Sequence, residues 1–341
     1  MLTSPHHRPV PADPTTLVSL AQVQQARSEL PPQVIRTPML VSDGLSARAG
    51  ATVYLKPENL QITGSYKVRA AYTILNRLSP EQKRRGAALS SSGNFAGAWG
   101  YMGRLLGVPV AVVAQEHTAP IKLEKARNWG AEVVLCANSF DARWETLSAL
   151  ERERGILAIN NYEHPDVIIG HGTIGLEIVE DVPDVDTVLV PVSSGGLLAG
   201  VATAVKALRP SARVVGVQPE GSNAVYTSFK AGEVRRIAKV NSICDALVAA
   251  QPGTVPFAHI TRSVDDMVLV SDDETKAAVR WLAESAKLTV EAGGAVSAAA
   301  VLAGKVRLQG PAVVLLSGGN IAPATLAAYL LEGPPVPARL P

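Results

Sequence analysis

The stretch ENLQITGSYKVRAA, residues 58–71, decides how the chain is read. An apolar strand pattern, ATVYLK (51–56), precedes it, and a helical pattern, YKVRAAYTILNRL (66–78), overlaps its end. In that helix Val68, Ala71, Tyr72, Leu75 and Leu78 recur on one face. Between strand and helix lies a polar turn, Gln61-Ile62-Thr63-Gly64-Ser65, and just inside the helix sits Lys67. A helix lysine is commonly a solvated surface group. A lysine held at the end of a buried strand can instead be a nucleophile.

Working outward, the same alternation continues. AALS (87–90), VPVAVVA (108–114), AEVVLC (131–136) and ILAIN (156–160) read as strands, with helical patterns between them. DTVLVPV (186–192), ARVVGVQP (212–219), DMVLV (266–270) and PAVVLLS (311–317) repeat the rhythm. SDDE (271–274) reads as a capping box that opens a helix through Trp281. Apolar strands alternating with helices predict an α/β protein with mostly parallel sheets covered on both faces.

The chain has 341 residues, 47% apolar and 18% charged, enough for a large core and about two domains. A net charge of +2 and the lack of a basic cluster with aromatic residues argue against a nucleic-acid partner. Cys136 and Cys244 stand far apart, so no disulfide framework is expected; two buried thiols in a reducing compartment are. MLTSPHHRPVPADPTT (1–16) has no apolar signal core, and no apolar run reaches the roughly 18 residues of a membrane span. A cytoplasmic protein is expected, with a loose arm over 1–15 and a loose tail over 333–341.

In parallel sheets, ligands bind outside the carboxyl ends of the strands. Four polar turns stand there: QITGSYK, SSSGN, SSGGL and SGGN. PVSSGGLLAG (191–200) runs a strand through two serines and two glycines into a helix, a form that can cradle a phosphate. It lacks both the P-loop ending and the dinucleotide glycine spacing, so a plain tight turn is the other reading. LSSSGNFAGAWG (89–100) and LLSGGNIAPA (315–324) can likewise be ordinary capped turns. Their coincidence with Lys67 at strand ends is what a lysine that bonds pyridoxal phosphate needs.

At this point a family comes into view. KPENLQITGSYKVRAA (56–71) resembles the lysine motif of fold-type II pyridoxal-phosphate enzymes, in the threonine/serine dehydratase and serine racemase branch. SSGN (91–94), HTAPIK (117–122), GHGTIGLEI (170–178), PVSSGGLLAG and LLSGGN follow in that family's order. The resemblance implies two three-layer α/β/α domains, a large one from 16–86 plus 163–332 and a small mobile one from 87–162. The cofactor would lie in the cleft between them, and a homodimer is implied.

By the same resemblance Lys67 is the Schiff-base lysine, with Tyr66 beside it. Ser193, Ser194, Gly195, Gly196 and Leu197 form the phosphate loop. Asn94 meets the phenolic oxygen and Ser317 the pyridine nitrogen. Ser91, Ser92, Asn94, Phe95 and Arg143 face the substrate, and Ser92 is also where a base opposite the lysine would sit. Some positions depart from the family's pattern. Two phosphate-loop glycines are serines, Asn94 is followed by Phe95 where histidine is usual, and Gly97 replaces a glutamine. The glutamine of the GQGT motif is His171, which has no partner at metal-ligand spacing. An acidic cation ligand is Gln218, so no metal is expected.

The activity implied is β-elimination from a β-hydroxy amino acid such as threonine or serine, giving a 2-oxo acid and ammonia. Racemisation and β-replacement on a specialised substrate are the alternatives. A non-catalytic relative that only binds would have no chemical need of Lys67.

Overall fold

The computed structural model describes residues 17–91, 93–118 and 120–332. The expected arm over 1–15, the tail over 333–341 and Ser92 lie outside the described residues. The apolar runs become strands: β2 (Val53–Pro57), β3 (Ala87–Ser90), β4 (Val110–Gln115), β5 (Glu132–Cys136), β6 (Leu157–Ile159), β7 (Thr187–Pro191), β8 (Arg213–Pro219), β9 (Asp266–Val270) and β10 (Ala312–Leu316). β1 (Leu40–Val41) was not legible, because two residues on an edge carry no period. β3, β4, β7 and β10 are buried along their whole length, as strands covered on both faces must be.

Six strands form one sheet in the order β1-β2-β10-β7-β8-β9, parallel except for β1. The other sheet, β5-β4-β3-β6, is wholly parallel. The chain therefore has the expected α/β architecture with two mostly parallel sheets.

Strand order positions the site. β10 lies between β2 and β7, with Leu316 opposite Pro57 and Val314 opposite Leu189. The turns after these three neighbours, which carry Lys67, Ser317 and Ser193, therefore share one edge of the sheet. They are also tied directly. Ser65 bridges Gly318, Tyr66 N–H donates to the Ser317 carbonyl at 3.3 Å, and Gly319 N–H donates to the Gly64 carbonyl at 2.9 Å. Gly64 has a φ of +75°, and a Cβ there would stand 2.4 Å from Asn320 Oδ1, so the turn needs glycine.

Lys67 opens the helix Lys67–Asn76. Val68, Ala71 and Leu75 on its predicted face are buried against Ala96, Trp99 and Met102 of the helix Asn94–Leu106. Behind it stands a cluster of buried charges. Arg69 binds Glu58 through Nε and Nη2, at 2.9 and 2.8 Å, and Glu177 through Nη1 and Nη2, at 2.8 and 3.0 Å. Lys56 Nζ adds an ion pair to Glu177 at 2.7 Å, and Thr37 Oγ1 donates to Glu58 at 2.7 Å. Two cations face two carboxylates with nearly every lone pair taken, the condition under which charges tolerate burial. The charged residues of the 56–71 motif thus clamp the first turn after Lys67 to the helix Pro165–Asp181.

Cys136 and Cys244 are free and buried. No helix among the described residues is long and apolar enough to cross a membrane.

Candidate active site

A cavity of about 470 Å³ opens between the two sheets at their strand ends. Lys67, Tyr66, Ser91, Asn94, Phe95, Arg143, Ser193, Ser194 and Ser317, all singled out from sequence, line it. Gly195, Gly196 and Leu197 continue from the two serines into the helix Gly196–Leu208. The structure thus brings the described members of the sequence-selected set to one place, while Ser92 lies outside the described residues.

Lys67 is partly buried, and its Nζ lies 4.6 Å from the centre of the Tyr66 ring and 5.2 Å from that of Phe95. Among the described residues no hydrogen bond or ion pair reaches it. Desolvation pushes its pKa down to about 8, while the negative charge of Glu291 pulls the other way. The amine is closer to its neutral, nucleophilic form than a surface lysine.

The helix Gly196–Leu208 begins without a side-chain cap. Its first N–H groups have no acceptor within the helix and carry the positive end of its dipole. Gly195 supplies the turn with a φ of +110°, and a Cβ there would lie 2.8 Å from Ile260 Cδ1. The hydroxyls of Ser193 and Ser194 stand at the mouth of this cradle. An uncapped helix start, two hydroxyls and a free amine across the cavity fit a phosphorylated aldehyde. This fit rests on the donor set itself.

Ser317, buried at the end of β10, offers a hydroxyl to the same cavity. Asn94 is held at both ends. Its Nδ2 donates to Glu291 Oε1 at 2.5 Å, and its Oδ1 accepts from Asn320 Nδ2 at 2.6 Å. Burial, reinforced by Asp245, pushes the Glu291 carboxyl up to about 7, with Asn94, Lys122 and Lys125 opposing. Sequence reading missed Glu291. It precedes the helix Ala292–Leu302, which is buried all round and so shows no polar face to flag its end.

The opposite wall is cationic. Lys122 pairs with Asp245, Lys125 Nζ donates to Asn320 Oδ1, and Arg143 Nη2 donates to Gln115. Among the described residues Arg143 Nε is buried without a hydrogen-bond partner, as is Asn161 Oδ1, and both residues line the cavity. His171 lies outside the cavity, its ring 4.6 Å from that of Tyr66. Burial first, then the Lys67 charge, hold its pKa well below 6.5. Among the described residues no group of three or more His, Cys, Asp or Glu could hold a metal.

Fold and site together define an α/β protein in which a desolvated lysine and an uncapped helix start border one cavity. The chain belongs to the pyridoxal-phosphate dependent enzymes, whose family model matches residues 30–318. It is 38% identical to an L-threonine ammonia-lyase of Thermotoga maritima, over 89% of this chain and 76% of that one. It is also 38% identical to the "L-threonine dehydratase catabolic TdcB" of Staphylococcus aureus, over 89% and 90% of the two chains. Among solved structures, maize serine racemase superposes with a TM-score of 0.88 at 30% identity, covering 92% of this chain and 97% of that one.

Proposed function

We propose that this chain is an ammonia-lyase acting on a β-hydroxy amino acid, threonine or serine, to give a 2-oxo acid and ammonia. The observation that carries the reading is that the desolvated Lys67 amine and the serines leading into the uncapped helix at Gly195 line one cavity. The names of the Thermotoga and Staphylococcus relatives support the choice of substrate.

Pyridoxal phosphate, when bound, supplies an electron sink that acidifies the Cα–H of an attached amino acid. Ser193 to Leu197 would hold its phosphate with backbone N–H groups and two hydroxyls. Asn94, fixed by Glu291 and Asn320, would offer its amide to the ring oxygen, and Ser317 its hydroxyl to the ring nitrogen. A serine hydroxyl would not keep that nitrogen protonated as a carboxylate would. Lys67 Nζ is the group that would take the Cα proton. Its lowered pKa makes it a base near neutral pH. Ser91 and the first turn of the helix Asn94–Leu106 receive the substrate carboxylate.

Residues 87–162 form the smaller domain in this reading. In the same reading the Lys122–Asp245 and Lys125–Asn320 contacts join it to the larger domain across the cleft.

The test is release of ammonia and 2-oxo acid from L-threonine and L-serine by the purified protein loaded with cofactor. Lys67→Ala should abolish it. A loaded protein that releases neither product from either amino acid would refute the assignment. Chiral analysis of the same reactions measures racemisation, the alternative that the likeness to maize serine racemase supports.

A further inference from the structure

Gln218 is fully buried at the penultimate position of β8, and its amide is engaged at both ends. Nε2 donates to the carbonyls of Val192, at 3.3 Å, and Ser193, at 3.4 Å. Oε1 accepts from the N–H of Tyr226 at 2.8 Å. Val192 and Ser193 lead directly into the phosphate cradle. Tyr226 is the third residue of the helix Ala224–Ala231, whose start has no cap from its own N-cap side chain. One side chain therefore joins the strand end that carries the cradle to the start of a neighbouring helix.

The resemblance places an acidic cation ligand at this position. A carboxylate here would turn an oxygen toward two carbonyl oxygens, and only a cation between them would make that favourable. The amide needs none, because it brings its own N–H donors to those carbonyls. The residues that follow are no better suited to a cation. Ser222, Asn223 and Ala224 carry no carboxylate, and Glu220 is exposed. The residues present do not fit a metal.

We propose that Gln218 is a positioning residue that does internally what a bound cation does elsewhere, so that this enzyme sets its phosphate cradle without any metal ion. The amide's donors take up the Val192 and Ser193 carbonyls, and its oxygen caps the helix Ala224–Ala231. The cradle is fixed in cation-free buffer as well as in cation-rich buffer. The inference rests on reading Ser193–Leu197 as the phosphate loop, but not on the identity of the substrate.

The test measures melting temperature and cofactor affinity of the holoenzyme after EDTA treatment and dialysis, with and without added magnesium, calcium, manganese or potassium. The wild type should give the same melting temperature and the same Kd in every buffer. Gln218→Glu in cation-free buffer should bind the cofactor about tenfold or more weakly, since a buried charged acceptor is left unsatisfied. A divalent cation should restore part of that loss. Gln218→Met should weaken cofactor binding with no recovery by any cation, and it keeps the comparison open if Gln218→Glu fails to fold. A wild-type response to EDTA or to any added cation would overturn the proposal, and so would a cation-indifferent Gln218→Glu. If the phosphate-loop reading is itself wrong, pyridoxal phosphate will not raise the melting temperature of the cofactor-free wild type in any buffer, an outcome distinct from a cation response.

Discussion

In cofactor-free protein Lys67 should react with a small amine-directed reagent as a group of pKa about 8, not as an ordinary lysine of 10.5. The physical cause is desolvation between the Tyr66 and Phe95 rings, with no described hydrogen-bond acceptor at Nζ. At pH 7 such a shift raises the neutral fraction from about 0.03% to about 9%, a gain of about 300-fold in reactive amine. Reductive methylation over a series of pH values, followed by peptide mass spectrometry, measures this residue by residue. Nα-acetyl-lysine added to the same reaction reports the pH dependence of the reagent with an ordinary amine. The Lys67 profile should level off above about pH 8 to 9 while that of the small amine is still rising.

Glu291 gives the experiment a second arm. Its negative charge favours the ammonium form of Lys67, so Glu291→Gln should move the Lys67 inflection further down. A Lys67 profile that runs parallel to that of the small amine up to about pH 10 would refute the desolvation argument. An upward shift in Glu291→Gln would refute the assigned electrostatics even if the wild-type inflection lies near 8.

Three further outcomes are expected. Gly195→Ala should weaken cofactor binding at least about tenfold in a fluorescence titration, because the Ile260 methyl can yield but a φ of +110° cannot suit a Cβ; an unchanged Kd would contradict this. Arg69→Met leaves Glu177 with Lys56 and removes the ion pair of Glu58, and should cost about 3–5 kcal/mol in urea denaturation; a loss under about 1 kcal/mol would show that the cluster is not a unit. Acid should destabilise the fold below pH 6.5, because burial holds His164, His171 and His259 below that value. The unfolded chain takes up those protons first, so stability falls with pH, by about 1–3 kcal/mol per unit in all. Glu291, raised to about 7, works in the opposite sense between pH 7 and 4.5 and offsets one of the three. Denaturation midpoints at pH 7.5 and 5.5 decide it, and a higher stability at 5.5 would contradict the assignment.

The parts of this protein legible from sequence share a physical property: they are local. Lys67, the serines before Gly195, and Ser317 each follow an apolar run within a few residues, and strand ends are where parallel sheets bind ligands. Once β2, β10 and β7 pair as neighbours, the convergence of those turns follows from topology. What escaped the reading depends on contacts distant in sequence. Glu291 is 197 residues from the Asn94 it holds, and nothing in EAGGAVSAAAVL distinguishes a buried acid from a solvated helix start. Nothing local to Arg69 in YKVRAAYTILNRL marks it as a buried charge. Its partner Glu177 lies 108 positions away, on a helix whose apolar pattern masks a single buried charge. Gln218 is the intermediate case. Its departure from the family's acid was visible, but an amide could have meant an empty pocket or a satisfied one. Only the carbonyls of Val192 and Ser193 on one side and the Tyr226 N–H on the other decide between them. A polar side chain buried at a strand end is therefore informative in proportion to the partners it finds, and those partners are set by the sheet order rather than by its neighbours in the chain.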